Sequence, residues 1–327
     1  MEYENNKVAL VSIIMPTYNQ AEYIKAAIDS VFAQSYPIFE LIVIDNYSTD
    51  ATSDVVHSYH DPRIKYLKFD NKGVIAAARN HGVKNADGSV LAFLDSDDIW
   101  LPEMLSAQIK LLSDNIALVS SSFEPIGNTT ICRHHLNYIK ENDVKAFHYK
   151  DIINANPIMT SSVVLYKADF DHSGGFDESS SFRFIEDWEL WLRLALNKKV
   201  LINGAKLLQY RISSKTDRDE RDVKKRTLLI MKKHFELNYI NGSMYKILQG
   251  NCNVDIGKAH LDMNDQSGVK YYLKGIWATR SIHNKARAIV GLALFFTPLF
   301  LRKKLLQLFY KLNNFNIATE INNIKKE

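Results

Sequence analysis

The N-terminal third of the chain alternates between short apolar runs and segments with helical periodicity. The apolar runs end on polar turns and cover residues 11–15, 40–45, 64–69 and 90–95. After the first run, apolar side chains recur at helical spacing over residues 23–32. Apolar strands that are separated by helices indicate a parallel sheet with helices on both faces. We therefore predict an α/β fold built on a parallel sheet.

The pattern changes after residue 117 and again near residue 222. The second part contains two predicted strands, a glycine-rich loop, an amphipathic helix, a pair of short strands and a charged loop, in that order at residues 117–123, 161–167, 174–178, 186–196, 200–212 and 213–222. The remaining periodicity is helical. We expect one domain at residues 1–222 and a C-terminal α-helical region at residues 223–327.

The composition restricts the class of protein. With 327 residues and 46% hydrophobic content, the chain can bury a full core. A formal net charge of +4 does not favour a nucleic-acid partner. Two widely spaced cysteines are typical of a reducing compartment. The first residues lack the basic and apolar regions of a signal peptide, so a cytoplasmic location is expected.

Polar residues follow three of the predicted strands at the point where each strand ends. They are Pro16, Thr17, Tyr18 and Asn19 after the first strand, Asp45 and Asn46 after the second, and Asp95, Ser96, Asp97 and Asp98 after the fourth. The carboxyl ends of parallel strands meet at one edge of the sheet, where ligands bind in such folds. We therefore expect these side chains to form one site.

Asp95, Asp97 and Asp98 place three carboxylates within four positions. Carboxylates this close repel one another, and one takes up a proton unless its charge is compensated. A hard divalent cation compensates the charge, and Mg²⁺ bound by one or two carboxylates shares its other positions with water and phosphate oxygens. A diphosphate substrate with Mn²⁺ or Mg²⁺ is therefore favoured. In the alternative interpretation, Asp97 and Asp98 only cap a helix that starts near Pro102.

Two common phosphate-binding motifs are absent from the sequence. There is no GxxxxGK[ST] run, and no GxGxxG run follows a predicted strand. The phosphate charge would then be carried by the metal, by Arg79 and by backbone amides.

Several short motifs follow one another in a fixed order. They are Pro16-Thr17-Tyr18-Asn19, Val43 to Asp50, Asn71-Lys72-Gly73 with Ala78-Arg79-Asn80, Phe93 to Asp98, Gly174 to Glu178, and Glu186-Asp187. In this order they resemble the motifs of family 2 glycosyltransferases of the bacterial surface-polysaccharide type, which have the GT-A fold. The resemblance implies a Rossmann-like, mixed and mostly parallel sheet with helices on both faces. The resemblance covers roughly residues 8–215.

The resemblance implies which residues bind a nucleotide sugar. The matched positions are Pro16, Thr17, Tyr18, Asn19, Asp45, Arg79, Asp95 and Ser96. Thr17 and Tyr18 would border the base, and Asp45 would accept a hydrogen bond from it. Arg79 would contact the base or the diphosphate, and Asp95 would lie near the ribose.

The resemblance also implies a metal site and a catalytic base. Asp97, together with Asp95, would hold the cation, and Asp98 would assist or cap a helix. Asp187 would deprotonate an acceptor hydroxyl as it attacks the anomeric carbon in one inverting displacement, with Glu186 as the second candidate. Asp187 also suits a helix N-terminus, where the macrodipole favours an acid, and the two roles are compatible.

Four further positions near these motifs allow more than one interpretation. Family members often have a histidine shortly after the strand that corresponds to residues 206–212. This chain has Arg211 and Lys215 there, and either could supply positive charge to the diphosphate. Trp188 and Trp191 share one helix face, where they would stack on a sugar or pack in the core.

Residues 245–282 resemble a helix pair like a single tetratricopeptide unit. Such a unit needs neighbouring helices to cover its apolar face. The residues expected to pack it are Gly257, Ala259, Val269, Tyr272, Leu273 and Ile276.

The apolar run at residues 289–301 is shorter than a typical membrane span. Four basic residues follow it, namely Arg302, Lys303, Lys304 and Lys311. This pattern favours a helix that lies in the plane of an anionic membrane surface. A buried hairpin broken at Pro298 is the alternative.

These features together predict a metal-dependent, hexosyltransferase-like enzyme. It would move a sugar from a nucleotide diphosphate, UDP first among them, to a hydroxyl of a glycan or polyprenyl-linked acceptor. The expected setting is O-antigen, capsule or other cell-surface polysaccharide synthesis on the cytoplasmic face of the inner membrane. The alternatives are a sugar nucleotidylyltransferase and an inactive nucleotide-sugar-binding membrane protein.

Overall fold

The computed structural model describes residues 9–127, 139–141, 143–212, 219–263, 265–278, 282–297 and 301. The chain divides into two compact units, Met1–Asp217 and Arg218–Glu327. Some residues singled out in the sequence lie outside the described ranges: Lys215, Pro298, Arg302, Lys303, Lys304 and Lys311.

The first unit is built on one mixed sheet. Its strands are β1 (Val11–Thr17), β2 (Phe39–Asp45), β3 (Ile64–Lys68), β4 (Val90–Phe93), β5 (Ile99–Trp100), β6 (Ile116–Gly127), β7 (Val144–Phe147), β8 (Val164–Tyr166) and β9 (Lys199–Ile212). Within the described residues their order is β3-β2-β1-β4-β8-β6-β9-β5, and β7 pairs with β9. The pairs among β1 to β4 are parallel, whereas β8 runs antiparallel to both β4 and β6.

Helices cover both faces of the parallel part, as the apolar strands predict. The helices are α1 (Ile24–Phe32), α2 (Thr52–His57), α3 (Ile75–Lys84), α4 (Met104–Leu111), α5 (Tyr149–Ile152), α6 (Lys167–Ser173) and α7 (Glu186–Leu194). On one face, Ile28 of α1 packs in the core that contains Ile13. On the other face, Gly82 of α3 lies so close to Ile14 and Ile44 that a Cβ would come within 2.7 Å of both side chains.

The predicted pair of short strands at 200–212 is a single strand, β9. It pairs with β6 along its whole length, with register shifts around Ser122. Gly204 and Ala205 form an irregularity inside the strand, where Gly204 packs against the backbone at Lys140. The prediction was wrong because the Asn-Gly pair there produces this irregularity within a continuous strand and does not end it.

The strand predicted at 161–167 is shorter than expected. Thr160–Ser162 form a 3₁₀ turn, β8 covers Val164–Tyr166, and Lys167 begins α6. The Ser162 hydroxyl donates to the Met159 carbonyl and accepts from the Ser121 backbone amide. Such local side-chain bonds compete with a strand ladder, which explains the shortened strand.

The second unit consists of four described helices. They are α8 (Glu220–Glu236), α9 (Gly242–Asp262), α10 (Val269–Ala278) and α11 (Ile282–Phe295). The predicted helix pair corresponds to α9 and α10, and Tyr272 lies between them against Gly257. Leu273 was expected to pack there, but it is 46% exposed, since neighbouring helix residues point about 100° apart and Tyr272 takes the inner position.

The boundary between sheet and helices lies earlier than predicted. Residues 220–222 were assigned to a charged loop, but α8 begins at Glu220. The Asp219 side chain accepts the backbone amide of Arg221, which caps the helix at this point.

The apolar run that starts at residue 289 is partly buried. Leu294 and Phe295 belong to the core of the second unit, whereas Ile289 is 57% exposed. None of the described helices is long and apolar enough to cross a membrane.

Candidate active site

The loops that follow β1 and β2 are joined at the carboxyl edge of the sheet. The Asn46 amide donates to the Thr17 carbonyl at 3.0 Å, and Asn19 Oδ1 accepts the Thr49 amide at 2.8 Å. Tyr18 is 53% exposed at the rim, while Pro16 and Thr17 are buried at the end of β1. The structure thus brings the predicted residues together, with Tyr18 and Asn19 as the accessible ones.

Asp45, at the end of β2, is fully buried. Its Oδ1 accepts the amide and the hydroxyl of Ser48, at 2.8 and 2.6 Å. Its Oδ2 accepts the Tyr66 hydroxyl, and burial and this hydrogen bond raise the pKa of Tyr66 to about 12. Because both oxygens already accept hydrogen bonds, recognition of a base by Asp45 stays a prediction.

Arg79, on α3, connects two acidic positions of the predicted site. Its guanidinium donates to Asp95 at 2.9 Å and to Glu186 at 3.1 Å. Only 3% of Arg79 is exposed. Its predicted contact with a base or diphosphate is untested, but its observed partners make it a bridge between Asp95 and Glu186.

Asp98 does not cap the next helix. It is 1% exposed, and its Oδ1 accepts the backbone amide of Arg211 at 2.8 Å. The helix α4 begins only at Met104 and has no side-chain cap. The capping interpretation is therefore wrong for Asp98, which fastens the end of β9 to the loop after β4.

Asp97 is partly exposed beside Asp95. Burial, and then the charge of Asp95, raise the pKa of Asp97 to about 6. Burial and the charges of Asp97 and Asp95 likewise hold the pKa of Asp98 well above its usual range. The predicted repulsion among the three carboxylates is therefore a property of the folded site, and Ser96 between them is buried.

Arg211 is the predicted basic residue that the structure places at this edge. Its Nε donates to the Asp97 carbonyl at 2.9 Å, and its guanidinium lies 4.4 Å from the centre of the Tyr23 ring. The supply of positive charge to a diphosphate by Arg211 stays a prediction. The other candidate, Lys215, lies outside the described residues.

The acidic loop fits a divalent cation that is shared with a substrate. Asp95 and Asp97 offer two carboxylates, and burial and then the charge of Asp95 raise the pKa of Asp97. In the described part of the chain, no group of three or more His, Cys, Asp or Glu could hold a metal ion. Two carboxylates suffice for Mg²⁺ where phosphate oxygens and water supply the other ligands.

Asp187 lies in the first turn of α7 with both oxygens held. The Trp188 amide donates to Oδ1 at 2.6 Å, and the Thr160 hydroxyl donates to Oδ2 at 2.8 Å. Glu186 is only 5% exposed and pairs with Arg79, and burial and the charge of Asp187 raise its pKa. Since Asp187 is the more accessible acid, the geometry favours it over Glu186 as a base.

Trp188 and Trp191 are core residues. Trp191 is fully buried against Phe93 and Phe176. Trp188 is 8% exposed, and its indole donates to the Ile152 carbonyl at 2.8 Å. Stacking on a sugar is therefore excluded for Trp191, and the core interpretation holds for both because α7 packs this face against the sheet.

The 3₁₀ turn at Thr160–Ser162 is a part of the site that the strand pattern did not predict. Thr160 contacts Asp187, and the Ser161 hydroxyl accepts the Asp95 amide at 3.2 Å. One short turn thus contacts both the acid at the end of β4 and the candidate base. The run of three hydroxyl residues in Met159-Thr160-Ser161-Ser162 was the available signal.

The glycine-rich motif positions α7 against α3. Asn80 accepts the Phe176 amide at 2.9 Å and donates to the Phe176 carbonyl and to Glu178. Gly175 has a φ of +73°, and a Cβ there would lie 2.9 Å from Asn80. Glycine is required at this close turn, and the arrangement brings Glu186 to Arg79.

The sheet and its carboxyl-edge site define a GT-A fold of the glycosyltransferase class. The family model of glycosyl transferase family 2 matches residues 12–172 of this chain. A 31% identical relative in Escherichia coli, UDP-Glc:alpha-D-GlcNAc-diphosphoundecaprenol beta-1,3-glucosyltransferase WfaP, matches over 62% of this chain and 77% of its own length. The chain belongs to glycosyltransferase family 2.

Other relatives match over shorter stretches. The E. coli protein WfgD, named for the same reaction, is 45% identical over 123 residues, which are 37% of this chain and 49% of WfgD. The Bacillus subtilis putative teichuronic acid biosynthesis glycosyltransferase TuaG is 39% identical over 32% of this chain and 42% of its own. The chain thus spans about half the length of these two relatives.

Two solved structures share the fold. Residues 1–349 of S. aureus TarS in complex with UDP-GlcNAc give a TM-score of 0.62 at 17% identity, covering 87% of this chain and 90% of that one. The Pyrobaculum calidifontis mannosyltransferase PcManGT, in complex with GDP-Man and Mn²⁺, gives a TM-score of 0.55 at 17% identity. The match covers 97% of this chain and 87% of that one.

Proposed function

We propose that this protein is an inverting glycosyltransferase that moves a sugar from a nucleotide diphosphate to a hydroxyl of a lipid-linked glycan. The observation that carries the proposal is the position of Asp187. Its partly exposed carboxylate accepts a hydrogen bond at each oxygen. The preceding residue, Glu186, pairs with Arg79, and Arg79 also pairs with Asp95. A base at this position lies on the same edge as the acids that would meet the donor.

The reaction requires one proton transfer and one displacement. Asp187 takes the proton from the acceptor hydroxyl as that oxygen attacks the anomeric carbon, and the nucleoside diphosphate leaves from the opposite face. Thr160 and the Trp188 amide keep the carboxylate oriented, since each donates a hydrogen bond to one of its oxygens. A single displacement inverts the anomeric configuration.

Asp95 and Asp97 are the residues that would hold Mn²⁺ or Mg²⁺. The cation would supply positive charge to the departing diphosphate. Arg211 adds a fixed positive charge at the same edge, since its guanidinium is held by the Asp97 carbonyl and by Tyr23.

The names of the relatives support a choice of donor and acceptor. WfgD and WfaP are named for UDP-Glc and for alpha-D-GlcNAc-diphosphoundecaprenol, and the TarS structure contains UDP-GlcNAc. We therefore assign a UDP-hexose as donor and a polyprenyl diphosphate-linked sugar as acceptor, in the synthesis of a cell-surface polysaccharide. Such an acceptor places the enzyme at the cytoplasmic face of the membrane.

Transfer can be tested with purified protein, Mn²⁺, a panel of UDP-hexoses and a soluble GlcNAc-diphosphate-lipid analogue. The proposal predicts a new disaccharide and release of UDP. Release of pyrophosphate from UTP and a sugar phosphate would instead identify a nucleotidylyltransferase. UDP binding without any turnover would identify an inactive binding protein, and either outcome would refute the proposal.

A further inference from the structure

The helix α10 exposes apolar and basic side chains on one face. Lys270, Leu273, Lys274 and Trp277 are all exposed and recur at helical spacing, with Leu273 at 46% and Trp277 at 89%. The opposite face is buried through Tyr272. The inner side of α10 is therefore buried, and its outer side exposes two large apolar side chains.

The neighbouring helix α11 repeats this arrangement. Its exposed positions include Lys285, Ala286, Ile289, Val290 and Ala293. Phe296, the first residue after the helix, is also exposed. Ile289 is 57% and Phe296 80% exposed, whereas Ala288, Leu294 and Phe295 on the inner side are buried. Tyr272 of α10 packs against Gly291 and Phe295 of α11, so the two helices lie side by side.

We call the exposed residues of α10 and α11 the apolar-basic face. Isolated exposed apolar residues are normal in proteins, but several on adjacent helices mark an interaction surface. Trp277 stands out further because the other three tryptophans, Trp100, Trp188 and Trp191, are at most 8% exposed.

The positive charge of the segment that contains α10 and α11 favours a negatively charged partner. Residues 266–319 contain nine Lys or Arg and no Asp or Glu, although the whole chain has a net charge of only +4. Aromatic and aliphatic side chains that are flanked by lysines suit the interface of an anionic bilayer, where lysine stems pack along the apolar layer and their ammonium groups reach the headgroups. A second copy that docked through the same patch would bring like charges together.

We propose that the apolar-basic face lies on an anionic lipid bilayer. The inference deepens the proposed function, since a lipid-linked acceptor is presented at such a surface. Trp277, Leu273, Ile289 and Phe296 would insert at the level of the acyl boundary, and Lys270, Lys274 and Lys285 would pair with lipid phosphates.

Vesicle flotation of the full chain tests the proposal. The protein should float with vesicles of equal parts phosphatidylglycerol and phosphatidylcholine, and far less with phosphatidylcholine alone. Trp277→Gln combined with Phe296→Gln should lower the partition coefficient at least tenfold, since burial of one large apolar side chain stabilises by roughly 1.5 kcal/mol or more. Lys270→Gln with Lys274→Gln should lower it about fivefold per lysine at low salt.

Two matched variants serve as controls. Leu229→Gln removes a 37% exposed leucine from α8, and Lys246→Gln removes an exposed lysine from α9. Both should float like the wild type. Loss of flotation in these variants to the same degree would show that no particular face binds lipid and would overturn the proposal.

Trp277 offers an independent readout because it is the exposed tryptophan. Brominated lipid in the anionic vesicles should quench its fluorescence, and Trp277→Phe should remove most of the quenched signal. If sedimentation instead shows a lipid-free dimer that dissociates on Trp277→Gln, the face is a contact between copies and the proposal is wrong.

Failure of this proposal is distinguishable from failure of the proposed function. Transfer to a water-soluble acceptor in the absence of vesicles should be the same for Trp277→Gln and the wild type. Flotation without transfer would refute only the enzyme assignment, and transfer without flotation would refute only the membrane surface.

Discussion

The two units of the molecule depart from the usual distribution of side chains in opposite ways. The sheet unit buries charge: Asp45, Arg79, Asp98 and Glu186 are each at most 5% exposed. The helical unit instead exposes large apolar side chains, with Trp277 at 89%. Buried polar groups and exposed apolar patches are the informative exceptions in proteins. In the first unit the exceptions are buried charged residues of the candidate active site, and in the second they are apolar residues on an exposed helix face.

The largest expected effect comes from the candidate base. Asp187→Asn should keep the shape of the site and lose the proton acceptor, so transfer should fall by about 10³-fold. UDP affinity, measured by calorimetry with Mn²⁺, should stay near that of the wild type. Asp171→Asn, which changes an exposed acid of α6, is the matched control and should transfer normally. Undiminished transfer by Asp187→Asn would remove the base assignment.

Removal of Arg79 from its two ion pairs should destabilise the first unit strongly. Arg79→Met leaves Asp95 and Glu186 without their shared partner, and breaking a buried pair costs about 3–5 kcal/mol. Urea unfolding measures this loss. Arg183→Met, at an exposed arginine that lies over Phe184, should stay within about 0.5 kcal/mol of the wild type. Equal losses of unfolding free energy in both variants would show that the ion pairs of Arg79 contribute no more to stability than an exposed arginine does.

The Thr160 hydroxyl should position Asp187. Thr160→Val removes the donated hydrogen bond, and a bond to a charged group contributes about 1.5–3 kcal/mol. We expect kcat to fall at least tenfold. Thr160→Ser retains the hydroxyl and should restore kcat. An equal fall in Thr160→Ser would contradict the positioning role of the hydroxyl.

The smallest predicted effect concerns cation binding. A metal held by Asp97 would bind the ionised form of this carboxylate, whose pKa is raised to about 6. Protonation therefore competes with the cation as the pH falls, and Mn²⁺ affinity in the presence of UDP should drop about tenfold from pH 7 to pH 5, given one proton at this pKa. Calorimetry across this range measures it. A flat profile would exclude Asp97 as the titrating ligand.

Local pattern predicted the sheet and the location of the site well. The motif residues stand directly at strand ends, so their convergence follows from the parallel order of β1, β2 and β4. Partners that are distant in sequence were not predictable in the same way. Asp98 pairs with Arg211, 113 positions away, and Arg79 pairs with Glu186, 107 positions away. Nothing in the local sequence specifies either contact.

Helical periodicity alone does not say which partner covers an apolar face. Trp191 and Leu273 illustrate the difficulty, since one was a candidate for sugar contact and is fully buried, and the other was expected in the core and is exposed. The packing of α7 on the sheet and of Tyr272 between the C-terminal helices decides these cases.

The most direct test of the central claim is the anomeric configuration of the product. Proton NMR can follow transfer from a UDP-α-hexose to a soluble diphosphate-linked GlcNAc in the presence of Mn²⁺. An inverting displacement with Asp187 as the base predicts a β-linked product from the wild type and none from Asp187→Asn. An α-linked product, or equal transfer by both proteins, would contradict the account.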